Sequence, residues 1–430
     1  RLYHEVLANK LSQQGLEEMF FKIESPLALL LLEMQTRGIS VDHKQLQQIQ
    51  ASTQTRLLSL HAKLVAYSNP EAQLNPNSSK QLTQLLFDEL KLHKSPKLTG
   101  QLQKTKSGLY STDQQNLGLL KDTHPIVSTL LEYRHLNKLQ GTYIEPLLAG
   151  SHKQSSRIHT RFAQTATATG RLSSLAPNLQ NIPIKTPLGK EIRKSFVAQS
   201  SDYVLISCDY SQIELRILAH MSKDPLLQEA FFNNRDIHQE SAARIFALPF
   251  EQVSEQQRRQ AKIINYGIIY GMSAKKLALE TSLSNKEAQK FIEQYFASFP
   301  QIKLLLTKLK QSAQRQGFAQ TLWGRKRYLY THEQTDTASI ERLAVNTPIQ
   351  GSAADLIKKA MLNITAILKK HSLDCHMLLQ VHDELVFECH KSSLTQAVKI
   401  VQEQMQTAAQ LSVPLQAQIN WGDNWLEAHP

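Results

Sequence analysis

The chain has 430 residues, enough for two or three domains or lobes, and a formal net charge of +12. That excess points to a polyanionic partner, nucleic acid first, because phosphate neutralisation dominates non-specific binding. Three cysteines (Cys208, Cys375 and Cys389) form no C-x-x-C pair and no disulfide framework. This excludes a secreted disulfide scaffold and fits a reducing cytoplasm, nucleoid-associated or that of a phage host, with an organelle also compatible.

In chain order, the first 150 residues read as mostly helical. The apolar run at residues 27–32 is far too short to cross a membrane, no signal peptide is visible, and no membrane partner is expected. The chain opens on Arg1 rather than Met and is expected to be a piece of something longer. "SPLALLLLEMQTRG" predicts a helix closed by Gly38, and residues 41–67 predict a long one free of Gly and Pro. Residues 69–108 read as short helical pieces joined by polar loops, "NPNSSKQL", "HKSPKLTGQ" and "KTKSG". Their lysines, Lys104 and Lys106 among them, suit phosphate contact or plain solvation. From Ser151 the texture changes, and strands are predicted in "RIHTRFAQ" and "YVLISCDYS". Residues 212–310 return to helix, and "TLWGRKRYLY" reads as a hairpin around Trp323-Gly324. A helix over 337–370, two apolar strands in "HMLLQVHDELVFECH", a helix over 394–410 and a last strand in "VPLQAQINWG" complete the chain. The whole is an α+β pattern with a discontinuous sheet.

In the last hairpin His382-Asp383-Glu384 separates the two apolar runs. Such acids are either a solvated turn or a metal seat, since carboxylates are rarely buried without a partner. "YVLISCDYSQIELR" repeats the arrangement, reaching Asp209 just as a helical pattern begins. Asp209 is therefore either the N-cap of that helix or, with Asp383, one of two acids converging at a sheet edge. Hard oxygen donors of this kind suit Mg²⁺, which binds through one or two carboxylates, waters and substrate phosphates.

The segment "RRQAKIINYGIIYG" carries Arg258, Lys262, Tyr266 and Tyr270 four residues apart, so all four share one broad helix face about 18 Å long. Cations occupy one end and aromatics the other, which is the polarity of a nucleoside triphosphate. Gly267 and Gly271 cost helix stability and are expected to let a ring or backbone approach closely. An amphipathic helix with a basic start is the plainer alternative. Trp323, Trp421 and Trp425 are expected in packing, Cys208 as a small strand residue, and His376 and His390 as no part of a metal site.

Three elements in this order, "DYSQIELR", "RRQAKIINYGIIYG" and "QVHDE", resemble motifs A, B and C of family A DNA polymerases, the bacterial DNA polymerase I type. "TATGRLSSLAPNLQNIP" and "ERLAVNTPIQGSAAD" resemble further segments of that family, and with looser similarity over the first 150 residues nearly the whole chain is covered. The resemblance implies a right-hand α+β fold with a discontinuous antiparallel-sheet palm and mainly helical thumb and fingers. The palm would draw on residues 1–44, 151–240 and 340–430, the thumb on 45–150 and the fingers on 241–339. The implied activity is template-directed addition of dNTPs to a primer 3′-hydroxyl on primer–template DNA, by a monomer, in replication or repair.

Carried over residue by residue, the resemblance makes Asp209 and Asp383 bridges between two Mg²⁺ ions, with Mn²⁺ as a substitute. The Tyr210 carbonyl would be a further ligand, and Glu384 would lie beside the metals. Arg258 and Lys262 would grip the triphosphate, assisted by His238 and Arg193, and Lys262 would be the general acid toward pyrophosphate. Gln212 belongs to the same nucleotide-binding set. Tyr270 would guard the template-base position, and Glu214 would sit under the incoming sugar and exclude a 2′-hydroxyl. Arg171, Arg342, Asn346, Gln350, Gln380 and His382 would line the minor groove near the new pair, testing its geometry without reading sequence. Lys104 and Lys106 are expected on DNA.

Two departures stand out. Tyr266 occupies a position where bacterial members usually carry Phe, which implies ready use of dideoxynucleotides. No D-x-E pair of the 3′–5′ exonuclease type is present, so no proofreading is expected from this chain. The competing readings are a single-subunit RNA polymerase or reverse transcriptase, a silent nucleic-acid-binding scaffold, and a metal nuclease using Asp209, Asp383 and Glu384.

Overall fold

Four apolar runs of the sequence become the four strands that frame the site. The computed structural model describes residues 2–68, 74–95, 102–150, 156–281, 283–330 and 336–429. Most of the "HKSPKLTGQ" loop lies outside those residues. The chain divides into two compact units, residues 1–39, 160–175 and 198–430, and residues 40–159 and 176–197.

In the first unit, helix α1 (Ser25–Arg37) starts on a proline and stops where Gly38 takes φ 64°. Strands β1 (Arg161–Ala163) and β2 (Ser173–Leu175) form a small antiparallel pair. Strand β3 (Tyr203–Tyr210) runs into α2 (Ile213–Ser222). Helix α3 (Ile237–Phe246) packs on α4 (Glu255–Ile269), which begins in a capping box of Ser254 and Gln257 that satisfies two otherwise orphaned N–H groups. Strands β4 (Phe318–Gln320) and β5 (Lys326–Tyr328) make the predicted hairpin, starting three residues earlier than the quoted stretch. Helix α5 (Thr337–Lys370) opens on Asp336, whose carboxylate accepts from the Ser339 N–H, and runs on through Pro348. The closing elements are β6 (Cys375–Val381), β7 (Glu384–His390), α6 (Leu394–Gln406) and β8 (Ala417–Gly422).

The four long strands form an antiparallel sheet in the order β8-β3-β7-β6. Its two central strands come from distant parts of the sequence, and their register sets Glu384 opposite Asp209 and Phe387 opposite Ile206. Both are buried along almost their whole length, with α6 packed on them, which is why they read as apolar runs rather than alternating ones. Trp425 is fully buried, whereas Trp421 is 47% exposed on β8. The expectation that Trp421 packs is therefore wrong, because β8 is an edge strand with one open face.

The second unit is mainly helical. His43–Val65 packs along Pro125–Leu139, and its core gathers Leu64, Leu82, Phe87, Leu117 and Ile126. A short antiparallel pairing sets Ser40 opposite Val197 and Val41 opposite Phe196. Residues 176–197, grouped with 151–240 in the sequence, pack within this unit. No helix among the described residues is long and apolar enough to cross a membrane.

Candidate active site

The two acids meet where β3 and the β6–β7 turn come together. Asp209 is the last residue but one of β3, and the next residue, Tyr210, donates its backbone N–H to the Asp383 carbonyl at 3.2 Å. Asp209 lies within the strand, and α2 takes Gln212 as its N-cap without any side-chain capping bond, so the N-cap alternative for Asp209 is wrong. Gln212 and His382 hold left-handed backbones, with φ 57° and 55°. Non-glycine residues adopt that region at a cost of order 1 kcal/mol or more, and such strain gathers at functional sites. Burial raises the Asp383 pKa, the Glu214 charge adds to that, and His382 and Arg171 oppose it. Glu384 has other partners: its Oε1 accepts from Ser207 Oγ at 2.6 Å and from Trp425 Nε1 at 2.8 Å.

A divalent cation fits this donor set in one particular way. Among the described residues no three His, Cys, Asp or Glu side chains are gathered closely enough to hold a metal by themselves. Two carboxylates make an incomplete, hard-oxygen set that water, backbone oxygens and substrate phosphates would have to complete, which is how Mg²⁺ is ordinarily bound.

Facing the acids is α4. Arg258 and Lys262 lie along it, Tyr266 follows one turn on, and Tyr270 is its C-terminal cap. Arg258 is tied to Asp236 at 2.8 Å and to Glu255 at 3.3 Å, while Lys262 is exposed. Beside them His238 is buried, with Asn265 donating to its Nδ1 at 3.0 Å and the Tyr266 ring 5.7 Å away. Burial pushes the His238 pKa down to about 4, against the pull of Asp236 and with help from Lys262 and Arg258, so its imidazole is neutral at pH 7. Burial, and then the charges of Asp383, Glu214 and Asp209, push the Tyr266 hydroxyl up to about 12. That hydroxyl therefore stays protonated within the field of all three acids. Side chains stand close against both glycines. A Cβ on Gly267 would stand 3.0 Å from Met272 Sδ, and one on Gly271, at φ 62°, 2.8 Å from Arg342 Cγ.

A cleft of about 220 Å³ gathers these elements, lined by Arg171, Gln212, Glu214, Tyr266, Tyr270, Gln380, His382 and Asp383 from four stretches of the chain. Buried Glu214 accepts from the Tyr270 hydroxyl at 2.8 Å and from an Arg171 Nη at 2.5 Å. Gln380 Nε2 donates to the His382 carbonyl at 2.5 Å. A sequence profile of DNA polymerase family A matches residues 43–427. The chain belongs to that family.

Among curated relatives of this family A chain, DNA polymerase I of Geobacillus stearothermophilus is 43% identical over 427 residues, 99% of the chain and 48% of that protein. The thermostable DNA polymerase I of Thermus aquaticus is 41% identical over 431 residues, 100% of the chain and 50% of that protein. The chain thus spans about half the length of the curated relatives it matches. A solved structure, the POL domain of Pol1 from M. smegmatis in complex with DNA primer-template and dNTP, superposes with a TM-score of 0.91 at 39% identity, covering 99% of this chain and 74% of that one.

Other expected residues of the family A chain fall outside the cleft lining. Arg342, Asn346 and Gln350 are four apart along α5, and Arg342 donates to Ser339 Oγ at 2.6 Å. Arg193 is in the second unit, buried, with its Nε and an Nη donating to the Ile182 carbonyl at 3.3 and 3.2 Å, so it does not present an exposed cation. Lys104 and Lys106 also belong to the second unit, where the Lys104 ammonium lies 4.9 Å from the Tyr110 ring centroid. Sequence reading missed Lys358, which lines the cleft although only 1% exposed, and Asn265, which fixes His238. The signal for Lys358 was Asp355 three residues before it in an otherwise apolar stretch of helix.

Proposed function

We propose that this chain is a template-directed DNA polymerase that adds dNTPs to a primer 3′-hydroxyl by nucleotidyl transfer. The observation that carries the reading is one cleft in which Asp383, Glu214, Tyr266 and Tyr270 meet, with Lys262 exposed along the same helix. Residues 45–150 would be the thumb, 241–339 the fingers, and 1–44, 151–240 and 340–430 the palm. The M. smegmatis domain, solved in complex with DNA primer-template and dNTP, supports the same substrates here.

Asp209, Asp383 and the Tyr210 carbonyl would hold two Mg²⁺ ions, or Mn²⁺ in their place, whose chemistry is activation of the primer hydroxyl and neutralisation of triphosphate charge. Lys262 would set its ammonium on the triphosphate and pass a proton to the departing pyrophosphate. Arg258, held by Asp236, would turn part of its guanidinium to the same phosphates, and neutral His238 would donate from Nε2. The buried Glu214 carboxylate would fill the space a 2′-hydroxyl needs. Its hydrogen bond from Tyr270 would keep that ring over the template-base position until a pair forms. Arg171, Gln380 and His382, with Arg342, Asn346 and Gln350 on α5, would meet minor-groove acceptors that every correct pair presents alike.

The test is extension of a labelled primer with Mg²⁺ on four templates differing in the next base, each dNTP and each rNTP supplied alone. Addition of only the complementary dNTP is expected. Untemplated addition, equal use of rNTPs, or no extension by folded chain that binds the DNA would overturn the reading. We also assign the chain no proofreading, a monomeric state and a cytoplasmic setting. Mg²⁺-dependent loss of a mispaired 3′ nucleotide would contradict the first of these.

A further inference from the structure

Beside the cleft, which Lys358 helps to line, lies a closed group of four charges from three parts of the chain. The Arg325 guanidinium donates to Asp355 at 2.7 Å and to Glu24, and Lys358 donates to the same Glu24 at 2.6 Å. Asp355 and Lys358 are 0% and 1% exposed, and Thr321 Oγ1 completes Asp355 at 2.7 Å. The loop between β1 and β2 rests on this group at two points. Gln164 Nε2 donates to Glu24 Oε2 at 2.8 Å. Gly170, at φ 80°, lies so close over Arg325 that a Cβ there would overlap the guanidinium. Below, Gly351 of α5 admits the same loop: a Cβ on it would stand 3.1 Å from the Thr169 carbonyl and 2.6 Å from Thr321 Cγ2. The next residue of the loop is Arg171, whose backbone carbonyl accepts from Thr167 Oγ1 at 2.7 Å and whose guanidinium reaches Glu214 in the cleft.

We propose that Arg325 is a positioning residue for Arg171: its guanidinium, locked between Glu24 and Asp355, is the surface on which Gly170 sets the loop that aims Arg171 into the cleft. The assignment rests on the polymerase reading, in which Arg171 meets the primer terminus. A flat, rigid fork held at both edges defines a plane, and an ammonium on a flexible stem does not, so lysine cannot replace it. Glycine is required opposite because only a residue without a Cβ can lie flat on that plane with a positive φ.

Single-turnover extension from matched and mismatched primer ends tests this in wild type, Arg325→Lys, Arg171→Ala and the double variant. Arg325→Lys is expected to slow matched extension about 10- to 100-fold, to slow mismatched extension less, and to leave DNA affinity and melting near wild type. In the Arg171→Ala background the same change is expected to cost less than about twofold, because the two residues act in series. If Arg325→Lys melts far below wild type, Gly170→Ala, which leaves all four charges in place, takes its part in the cycle with the same expectation. Wild-type rates in the single variant, or an equal loss in both backgrounds, would overturn the positioning role while leaving the polymerase reading intact. No extension by wild type itself would overturn both.

Discussion

Two groups of charge in the first unit are built on opposite plans. In the Glu24, Arg325, Asp355 and Lys358 group, two carboxylates meet two cations at hydrogen-bond distance and the charges cancel within the protein. In the cleft, Asp383, Asp209 and Glu214 crowd the Tyr266 end, while Arg258 and Lys262 stand further back along α4. Arg171 is ion-paired with Glu214, and burial leaves Asp383 with a raised pKa. A buried charge group that closes on itself fixes elements in place. One that keeps its signs apart is costly until something of the right polarity enters. Loss of a charge from the first kind is expected to show in stability, and from the second in turnover.

The contrast breaks most visibly at the acids. Asp383→Asn is expected to slow templated extension by at least about 10⁴-fold, the scale seen when one member of a catalytic unit is lost. It should leave urea unfolding at pH 7 unchanged or slightly strengthened, since burial already disfavours the charged form. A variant that unfolds easily would move Asp383 into the closed class. The mirror experiment is Lys358→Met. Removing one partner from a closed buried group leaves a carboxylate uncompensated, so a loss of about 3–5 kcal/mol in urea unfolding is expected. An unaltered unfolding midpoint would mean that Glu24 and Asp355 are satisfied by Arg325 alone.

Tyr266 sharpens the comparison from inside the cleft. Its hydroxyl, kept protonated by burial and by the three acids, is a donor at neutral pH. On the proposed reading it would make a contact that a Phe would leave to the substrate's own 3′-hydroxyl. Wild type is expected to use ddTTP nearly as well as dTTP, and Tyr266→Phe to favour dTTP on the order of 10²- to 10³-fold, as sites do when a needed hydroxyl is missing. Single-turnover incorporation opposite template adenine checks both. Strong discrimination by wild type would sink the idea.

The open group is the one that could be read in advance, and the reason is physical. Asp209 and Asp383 each end a buried strand, and the α4 residues repeat every four positions, so local periodicity carries both. The closed group leaves only the spacing of Asp355 and Lys358 along α5. Residues 24 and 325 meet 355 and 358 only through tertiary folding, and each alone resembles a solvated surface charge. Gly170 and Gly271 are visible as glycines, but what they admit, the side chains of Arg325 and Arg342, depends on segments far along the chain. Trp421 fails for a related reason. Residue type predicts a buried ring, while position gives an edge strand on which it is 47% exposed. The fold's α+β class and strand order of appearance were legible, but the packing of residues 176–197 with the second unit was not.

His238 gives the smallest predicted effect and the one that reports on the cation end of the cleft. Its pKa in the folded chain is about 4, against 6.5 for the unreacted side chain, because burial, Lys262 and Arg258 together outweigh Asp236. Between those two values the unfolded chain binds a proton that the folded chain refuses, so stability falls as pH drops from 6.5 toward 4 and is flat above that window. At 1.36 kcal/mol per unit, the loss by pH 4.5 from this group is about 2–3 kcal/mol. His238→Gln, which keeps a neutral polar group beside Asn265, is expected to remove that part of the acid sensitivity when urea unfolding at pH 7.5 and 4.5 is compared with wild type. Lys262→Ala should soften it only slightly, since burial is the largest cause. Parallel pH profiles for wild type and His238→Gln would show that the imidazole takes up its proton in the folded chain, and would make His238 a third cation at the triphosphate end instead of a neutral donor.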